Sequence, residues 1–370
     1  MKKAVDFIKN DPVLAASGLL ALVSLFIVPP SKEYIGYIDY KVLAVLFCLM
    51  TIIASLQKLG FFAYMGQALT AKTSGFKSLR LTLVMLCFFS SMLITNDVAL
   101  ITFVPFTITV FGLLKLNDRL IYTVVLETVA ANLGSMLTPT GNPQNLYLYS
   151  LSGMTIPEFV TLMLPPAAVS LVLLIIACLA GKSVPIDSAD FSQKSCFTFK
   201  SPRFWLYTAL FALCLLNIMR IAPLSLMLGA VVLCLLIFDR DIFKKVDYSL
   251  LITFVFFFVF IGNMGSIEAI KNFLSSVIAG REIVTGAVVS QVISNVPAAM
   301  LLSGFTDNYR GLLFGVNIGG LGTLIASMAS LISYKLYSAL PFSQKGKYIK
   351  CFTAVNVIML IILLIFALVI

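Results

Sequence analysis

Three short polar segments interrupt an otherwise apolar chain, and they carry the residues best suited to bind a ligand. They read TND at 95–97, LTPTGNPQN at 137–145 and SNV at 294–296. Amide and hydroxyl side chains both donate and accept hydrogen bonds. They therefore suit a small oxyanion, and their oxygen atoms also suit a hard cation such as sodium.

Two acids lie within the apolar sequence. Asp97 belongs to the first polar segment, where an unpaired carboxylate at membrane depth costs free energy and usually has a function. Coupling to a cation or a proton and a plain helix cap are both open for this residue. Glu127 lies five residues before Asn132, and a structural hydrogen bond and a coupling role are both open for it.

The residue types and motifs that are missing argue against several classes of enzyme. The chain has no histidine, which removes the commonest zinc ligand and the commonest proton carrier near neutral pH. The sequence contains neither HExxH nor GxxxxGK[ST]. We therefore expect neither an intramembrane hydrolase nor direct use of ATP, and we expect no cofactor.

The composition is that of a polytopic membrane protein. Mean hydropathy is +1.04, and charged residues make up 11% of the 370 residues, against about 25% in an ordinary soluble domain. The net charge of +10 comes from basic residues that cluster in short loops. This is the positive-inside pattern. We therefore expect the lipid bilayer and a small-molecule or ionic substrate as partners, and no nucleic acid.

Loop charges predict the topology. Lys2, Lys3 and Lys9 indicate that the N-terminus lies in the cytoplasm. The apolar runs then predict nine membrane spans. Their ranges are 13–29, 40–58, 119–150, 157–180, 203–219, 222–238, 248–264, 309–339 and the apolar run that ends the chain.

Two further apolar segments predict re-entrant helical hairpins. Segment 79–114 enters from the cytoplasmic side with TND at its tip, because basic residues flank both of its ends. Each arm has about 16 residues, or about 24 Å, which is short for a full crossing. Two full spans are the alternative, and they would invert every later loop. Segment 283–305 predicts a second hairpin that enters from outside, with SNV at its tip.

The polar features recur in the second half of the chain. Asn295 follows Asn96 by 199 residues, and Asn317 follows Asn132 by 185 residues. Because an odd span links the halves, the second half lies upside down relative to the first. The predicted fold is all-α, with two inverted repeats that each contain a re-entrant hairpin and a broken transmembrane helix. The repeats are 1–180 and 222–370, and 181–221 is a connector with the linking span.

These segments resemble the ion transporter superfamily, which contains the divalent anion–sodium symporters, the citrate transporters, the arsenite-efflux permeases and related sodium–proton antiporters. The resemblance covers essentially the whole chain. TNDVAL, GNPQN and SNVPA are similar to the arsenite-permease branch and its anion-permease relatives. The dicarboxylate symporters carry Ser-Asn-Thr at both tips. Here the third positions are Asp97 and Val296, so dicarboxylate specificity does not follow from the resemblance.

The resemblance implies a secondary active transporter of a small anion or oxyacid in the cytoplasmic membrane, driven by sodium or protons through alternating access. A metalloid efflux permease and a sodium–proton antiporter are alternatives on the same fold, and an ion channel is an alternative of a different class. A homodimer is one oligomeric state open to such a chain.

The resemblance and the helix breaks together indicate the site residues. Those expected to meet the substrate are Thr95, Asn96, Asp97, Asn142, Ser294, Asn295 and Thr323. Those expected to hold the coupling ion are Asp97, Asn132, Thr138, Thr140, Gly141, Asn317, Gly319 and Gly322. Sodium is the one metal ion we expect there.

Overall fold

The computed structural model describes residues 12–70, 73, 75–180 and 197–370, and the regular elements in these ranges are all helices. The predicted all-α membrane architecture is confirmed at this level. Residues 1–11, which include the lysines that predict the orientation, lie outside the described residues. Most of the predicted connector, 181–196, also lies outside them.

The described helices fall into two series, before and after the connector. The first series is α1 (Pro12–Ile27), α2 (Glu33–Tyr37), α3 (Tyr40–Lys58), α4 (Phe61–Thr70), α5 (Phe76–Ile94), α6 (Asn96–Leu113), α7 (Leu120–Ser135), α8 (Pro143–Ser152) and α9 (Ile156–Leu179). The second series is α10 (Pro202–Ile218), α11 (Leu224–Phe238), α12 (Tyr248–Gly265), α13 (Glu268–Ile278), α14 (Glu282–Ile293), α15 (Asn295–Ser303), α16 (Tyr309–Ile318), α17 (Met328–Ser338) and α18 (Lys345–Val369).

Several of these helices are long and apolar enough to cross a membrane. In the described part of the chain they number six, namely α3, α5, α6, α9, α12 and α18. The number is seven if α13 and α14, which meet at 108°, count as one bent span. The arms α5 and α6 contain 19 and 18 residues, more than the length expected from the sequence. Arm length therefore does not separate a hairpin from two full spans.

Two pairs of helices meet at the same unusual turn. We call α5 and α6, joined at Thr95, the first hairpin, and α14 and α15, joined at Ser294, the second hairpin. The backbone angles are φ 70° and ψ 150° at Thr95, and φ 78° and ψ 155° at Ser294. Positive φ is unfavourable for a residue with a Cβ atom. Contacts from elsewhere must therefore stabilise both tips.

The feet of each hairpin lie side by side. In the first hairpin, the rings of Phe76 and Phe111 have centroids 5.9 Å apart. In the second hairpin, the Thr306 hydroxyl, just after α15, donates to the Glu282 carboxylate at 3.0 Å. Both pairs of arms therefore run antiparallel, from adjacent feet to a single tip.

Two predicted spans are broken. We call residues 136–142, between α7 and α8, the first break, and residues 319–327, between α16 and α17, the second break. Asn142 is the N-cap of α8, because its side-chain oxygen accepts from the Asn145 amide at 2.9 Å. Pro143 occupies the first helical position, where its missing N–H breaks no intrahelical hydrogen bond. The sequence of the first break therefore restarts the helix directly.

The two halves of the chain interlock around α7, which is almost entirely buried. It packs against α5, α6, α9, α17 and α18. The second arm of each hairpin packs on a half-helix of the other half of the chain, because α6 contacts α17 and α15 contacts α8. This arrangement brings the two tips and the two breaks next to one another.

Polar contacts also join helix ends that are far apart in sequence. Lys58, at the end of α3, forms an ion pair of 2.6 Å with the buried Asp239, just after α11. The Arg80 guanidinium donates from Nε to the Cys178 carbonyl at 2.9 Å, near the end of α9. The predicted topology puts the two ends in each of these pairs on the same side of the membrane.

Candidate functional site

Each hairpin tip is hydrogen-bonded to a helix break through backbone atoms. The Asn96 N–H donates to the Gly141 carbonyl at 3.1 Å, and the Asn295 N–H donates to the Ala326 carbonyl at 2.9 Å. The two donors differ by 199 in residue number and the two acceptors by 185. These are the spacings that relate the paired asparagines in the sequence. The two tips are therefore anchored in equivalent ways.

A threonine hydroxyl fastens each break to the hairpin of its own half. Thr138 and Thr140 of the first break donate to the Met92 carbonyl, the latter at 3.1 Å. Thr323 of the second break donates to the Gln291 carbonyl at 3.0 Å. Met92 and Gln291 each lie three residues before a tip. Each break therefore contacts its hairpin both at the tip and one turn before it.

Asn132, near the end of α7, reaches into the other half of the chain. Its Oδ1 accepts from the Ser327 hydroxyl at 2.9 Å and from the Asn96 side chain at 3.0 Å. Its Nδ2 donates to the Ser330 hydroxyl at 3.4 Å. Ser327 and Ser330 lie at the start of α17. Asn132 therefore ties the first tip to the second broken helix.

Asn317, near the end of α16, makes the reciprocal contacts. Its Oδ1 accepts from Asn142 at 3.2 Å, and its Nδ2 donates to Asn145 at 2.7 Å. Ser327 and Ser330 follow Asn142 and Asn145 by 185 residues. The halves therefore exchange matching side-chain bonds. These bonds use Asn132 and Asn317, two residues that the sequence assigned to a coupling ion.

A large cavity opens beside the first tip. Its empty volume, which includes space open to solvent, is about 1030 Å³, and apolar residues of α3, α6, α8, α12 and α17 form most of its wall. The polar and charged residues that line it include four predicted site residues. These four are Thr95, Asp97, Thr140 and Asn142. The other polar and charged residues of the wall are Gln57, Lys245 and Asp247.

A second, smaller cavity lies between the two tips. Polar residues from both halves line it, namely Asn96, Asp97, Gln144, Asn295 and Ser327. The structure therefore brings together the asparagines of the two tips, as the sequence predicts. Asp97 lines both cavities, and its Oδ1 atom is buried without a hydrogen-bond partner.

The predicted residues of the second break lie differently. Thr323 is exposed and does not line either of these two cavities. Gly322 has φ 104°, and a Cβ atom there would lie 2.2 Å from the Gln291 side-chain oxygen. A Cβ atom at Gly319 would lie 2.7 Å from the Cα atom of Ala287. Close packing therefore accounts for these two glycines, and their coupling-ion role stays a prediction.

The first break contains one glycine with a similar constraint. A Cβ atom at Gly141 would lie 2.0 Å from the Ser135 carbonyl oxygen. The Gly141 carbonyl accepts the hydrogen bond from the Asn96 N–H of the first tip. Gly141 therefore lets the chain fold back closely enough to bond that tip.

Three important residues were not among those predicted. Asn145 donates to the carbonyls of Ser135, the last residue of α7, at 3.2 Å and of Thr138, in the first break, at 3.1 Å. Gln291 donates to carbonyls of the second break, and Gln144 lines the smaller cavity. Gln144 and Asn145 belong to the GNPQN motif, so the motif was a usable signal. Gln291 is an ordinary helix residue in the sequence and gives no such signal.

Glu127 is fully buried in α7. One carboxylate oxygen accepts from the Thr107 hydroxyl, and the other has no hydrogen-bond partner. The structural hydrogen bond considered from the sequence is therefore present, and the coupling role of Glu127 stays a prediction.

Comparison with known proteins supports the interpretation of this chain as a transporter. The family model of the citrate transporters (CitMHS) matches residues 5–308. An uncharacterized transporter of Methanocaldococcus jannaschii is 35% identical over 329 residues, which is 86% of each chain. The inner membrane protein YbiR of Escherichia coli is 31% identical over 330 residues, again 86% of each chain.

A more distant relative has a substrate in its name. The silicon efflux transporter LSI3 of Oryza sativa subsp. japonica is 27% identical over 178 residues, which is 47% of this chain and 36% of that protein. The family match covers most of the chain. The relatives from Methanocaldococcus jannaschii and Escherichia coli each align over 86% of their own length. This protein is therefore a multi-pass membrane transporter, not an enzyme, and it belongs to the citrate transporter (CitMHS) family.

Proposed function

We propose that this protein is a secondary active transporter that moves a small anion or oxyacid across the cytoplasmic membrane, coupled to sodium or protons by alternating access. The observation that carries this proposal is the convergence of two hairpin tips and two helix breaks on one polar site. Half-helix ends point partial charges at such a site, positive from N-termini and negative from C-termini. Broken helices that meet at a central site are typical of secondary transporters.

The two halves are proposed to be inverted repeats. The support is that the hydrogen bonds of the first tip and break recur in the second half at the same residue spacings. The reciprocal contacts of Asn132 and Asn317 follow the same spacings. Two such repeats can exchange conformations, and this exchange is how one site comes to face each side in turn.

Both hairpins are proposed to be re-entrant, with the N-terminus in the cytoplasm. The half-helices α7 and α8 contain 16 and 10 residues, or about 24 and 15 Å of helix. The first break therefore falls inside a hydrocarbon layer of about 30 Å. A tip bonded to that break lies at the same depth, while both feet of its hairpin lie together.

Cysteine labelling in cells tests this topology. Cysteines that replace Lys77 and Lys115, at the two feet of the first hairpin, should both react only with a reagent that has entered the cytoplasm. A reagent confined to the outside that labels one foot and not the other would contradict the re-entrant hairpin.

Charge in the large cavity bears on the substrate. Asp97 and Asp247 are acidic and Lys245 is basic, so the wall of this cavity has one more acidic than basic side chain. An anionic substrate beside Asp97 is repelled unless a cation or proton accompanies it. We infer that Asp97 binds the coupling ion or proton. The hydroxyl and carbonyl oxygens of Thr138, Thr140 and the two breaks would supply further ligands to sodium.

Export of a neutral oxyacid is the second candidate function. The greater number of acidic than basic side chains in the large cavity favours it, because a neutral molecule is not repelled by a carboxylate. The relation to the silicon efflux transporter gives it further support. This candidate differs from the first in its outward direction of transport and in the neutral charge of its substrate.

The experiment uses the full chain in proteoliposomes, with labelled citrate, phosphate or orthosilicic acid and an imposed sodium or proton gradient. We expect one of these solutes to move against its own gradient when one ion gradient is present. Asp97→Asn keeps the size of the side chain and loses its charge. It should still exchange substrate across the membrane but no longer concentrate it.

The matched control is Asp118→Asn, because the Asp118 side chain is 73% exposed, in the turn before α7. This variant should accumulate substrate as the wild-type protein does. Accumulation by Asp97→Asn with unchanged ion dependence would show that Asp97 is only a helix cap. Movement of all three solutes only down their own gradients would contradict secondary active transport of these solutes.

A further inference from the structure

Gln144 is a buried residue whose side chain has no hydrogen-bond partner. It lies in the first turn of α8 and is 1% exposed. Both its side-chain oxygen and its side-chain nitrogen are buried and unpaired. Among the described residues with buried unpaired side-chain atoms, Gln144 is the one whose nitrogen and oxygen are both unpaired.

Such a side chain does not stabilise the fold on its own. Burial of an unpaired amide is unfavourable, and buried polar groups in proteins are nearly always hydrogen-bonded. The neighbouring Asn145 shows the usual case, because its amide bonds to three carbonyls and to Asn317. A buried polar side chain that the fold leaves unpaired is typical of a ligand-binding position.

The surroundings of Gln144 are those of a ligand site. It lines the smaller cavity together with Asn96 and Asn295 from the two tips and Ser327 from the second break. Asp97 lines the same cavity, and its buried Oδ1 atom also lacks a partner. The cavity lies at the N-terminal end of α8, where the positive end of the helix dipole favours electron-rich groups.

We propose that Gln144 contacts the substrate directly and determines its specificity, by donating to and accepting from a small hydroxyl-bearing oxyacid held between the two hairpin tips. This inference rests on the proposed transport function and adds a residue and a ligand chemistry to it. Both atoms of the amide are unpaired, so the argument is the same whichever way the amide is turned.

The count of unpaired atoms narrows the chemistry of the ligand. The Gln144 oxygen and Asp97 Oδ1 are acceptors, and the Gln144 nitrogen is a donor. A fully deprotonated oxyanion without a hydroxyl group carries no donor, so it satisfies only the nitrogen. A ligand with at least one hydroxyl and one further oxygen satisfies both ends of the Gln144 amide. The Asp97 oxygen is then left for a second hydroxyl, a proton or a cation.

The test compares Gln144→Met with the wild-type full chain purified in detergent. The melting temperature is measured without ligand and with citrate, phosphate or orthosilicic acid, each over a range of concentrations. Met has a similar size and no strong hydrogen-bonding group. We expect Gln144→Met to melt at the wild-type temperature or above it without ligand. We expect it to bind the solute that stabilises the wild-type protein at least tenfold more weakly.

The matched control is Asn356→Leu in α18. Asn356 is also fully buried with an unpaired side-chain oxygen, but it does not line either of the two cavities. This variant should leave the ligand affinity unchanged. A second variant, Gln144→Glu, keeps the acceptors and loses the donor. It should weaken the binding of citrate and phosphate more than that of orthosilicic acid, because it adds a negative charge.

Two results would overturn the inference. The first is wild-type affinity in Gln144→Met. The second is a melting temperature of ligand-free Gln144→Met clearly below the wild-type value, because that would make Gln144 a structural residue. The second result needs no bound solute. It therefore decides the role of Gln144 even if none of the three solutes stabilises the wild-type protein, an outcome that would count against the proposed transport function alone.

Discussion

The first and second breaks make equivalent contacts to their hairpins, yet different residues hold their free carbonyls. At the first break the donor is the side chain of Asn145, which belongs to the half-helix that follows. It donates at 3.1–3.2 Å to the carbonyls of Met136 and Thr138 in the break and of Ser135 just before it. In the second break Gln291, from the hairpin, donates to the carbonyls of Gly319 at 2.8 Å and Leu321 at 2.9 Å.

The difference follows from the composition of the two breaks. The first break contains Pro139 and is followed by Pro143, and proline rings restrict the backbone. The second break contains Gly319, Gly320 and Gly322, which leave the backbone free to move. A proline-containing break can be held by its own helix, whereas a glycine-rich one needs a side chain from outside.

This comparison predicts that the two breaks differ in how strongly they depend on their hairpins. Asn145 belongs to the same broken helix, so we expect its bonds to the first break to survive a movement of the first hairpin. Gln291 of α14 holds the carbonyls of the second break, so we expect that break to follow a movement of the second hairpin. We therefore expect the two halves to respond differently to the loss of one amide.

The largest effect is expected from Asn145→Leu. This change leaves three buried carbonyls without their side-chain donor, and each unpaired group costs about 1–3 kcal/mol. It also removes the acceptor for Asn317. We expect the free energy of unfolding to fall by about 3 kcal/mol or more, measured by reversible unfolding in mixed micelles.

The control for Asn145→Leu is Asn356→Leu. Asn356 donates one hydrogen bond, to the Phe352 carbonyl of its own helix. Its loss should cost about 0.6 kcal/mol, the average for a side-chain hydrogen bond inside a membrane protein. Equal effects of the two substitutions would contradict the role given to Asn145.

Gln291→Met should have a smaller effect that is confined to the second break. It removes the donors to two carbonyls and the acceptor of the Thr323 amide, at 2.9 Å. We expect a loss of about 2 kcal/mol and faster hydrogen exchange in residues 319–327, with exchange in 136–142 unchanged. Val292→Met is the control on the same arm, because Val292 is 71% exposed. Equally fast exchange in both breaks would show that they are not held independently.

Much of the fold was predictable because helix breaks have local causes. Proline, glycine and asparagine in LTPTGNPQN predicted the first break, and the paired asparagines Asn96 and Asn295 predicted both tips. The spacing of 185 also paired Asn132 with Asn317. These signals depend on residue type and order, and both can be read directly from the sequence.

Contacts between distant residues were not predictable in the same way. The bond between Asn317 and Asn145 joins residues that are 172 positions apart, and no local pattern indicates it. Asn132 was expected to bind an ion, and in the structure its amide bonds to the other half of the chain. Thr323 was expected to meet the substrate; it is exposed in the structure, and its contact with a substrate stays a prediction. The spacing in the sequence predicts which residues of the two halves correspond. Corresponding residues can still differ in burial, and burial is seen only in the structure.

The smallest predicted effect concerns the pair Thr138 and Thr323. Their hydroxyls make equivalent bonds, to the carbonyls of Met92 and Gln291. Thr138 is partly buried and Thr323 is exposed. Thr138→Val should cost about 1 kcal/mol, because Thr140 still donates to Met92. Thr323→Val should cost less than about 0.5 kcal/mol, because the Gln291 side chain still bonds to the Thr323 amide and to the Gly319 carbonyl. Unfolding of the two variants in the same mixed micelles measures this difference. A larger cost for Thr323→Val would mean that the second break is held more by its threonine than by Gln291, which would reverse the comparison between the two breaks.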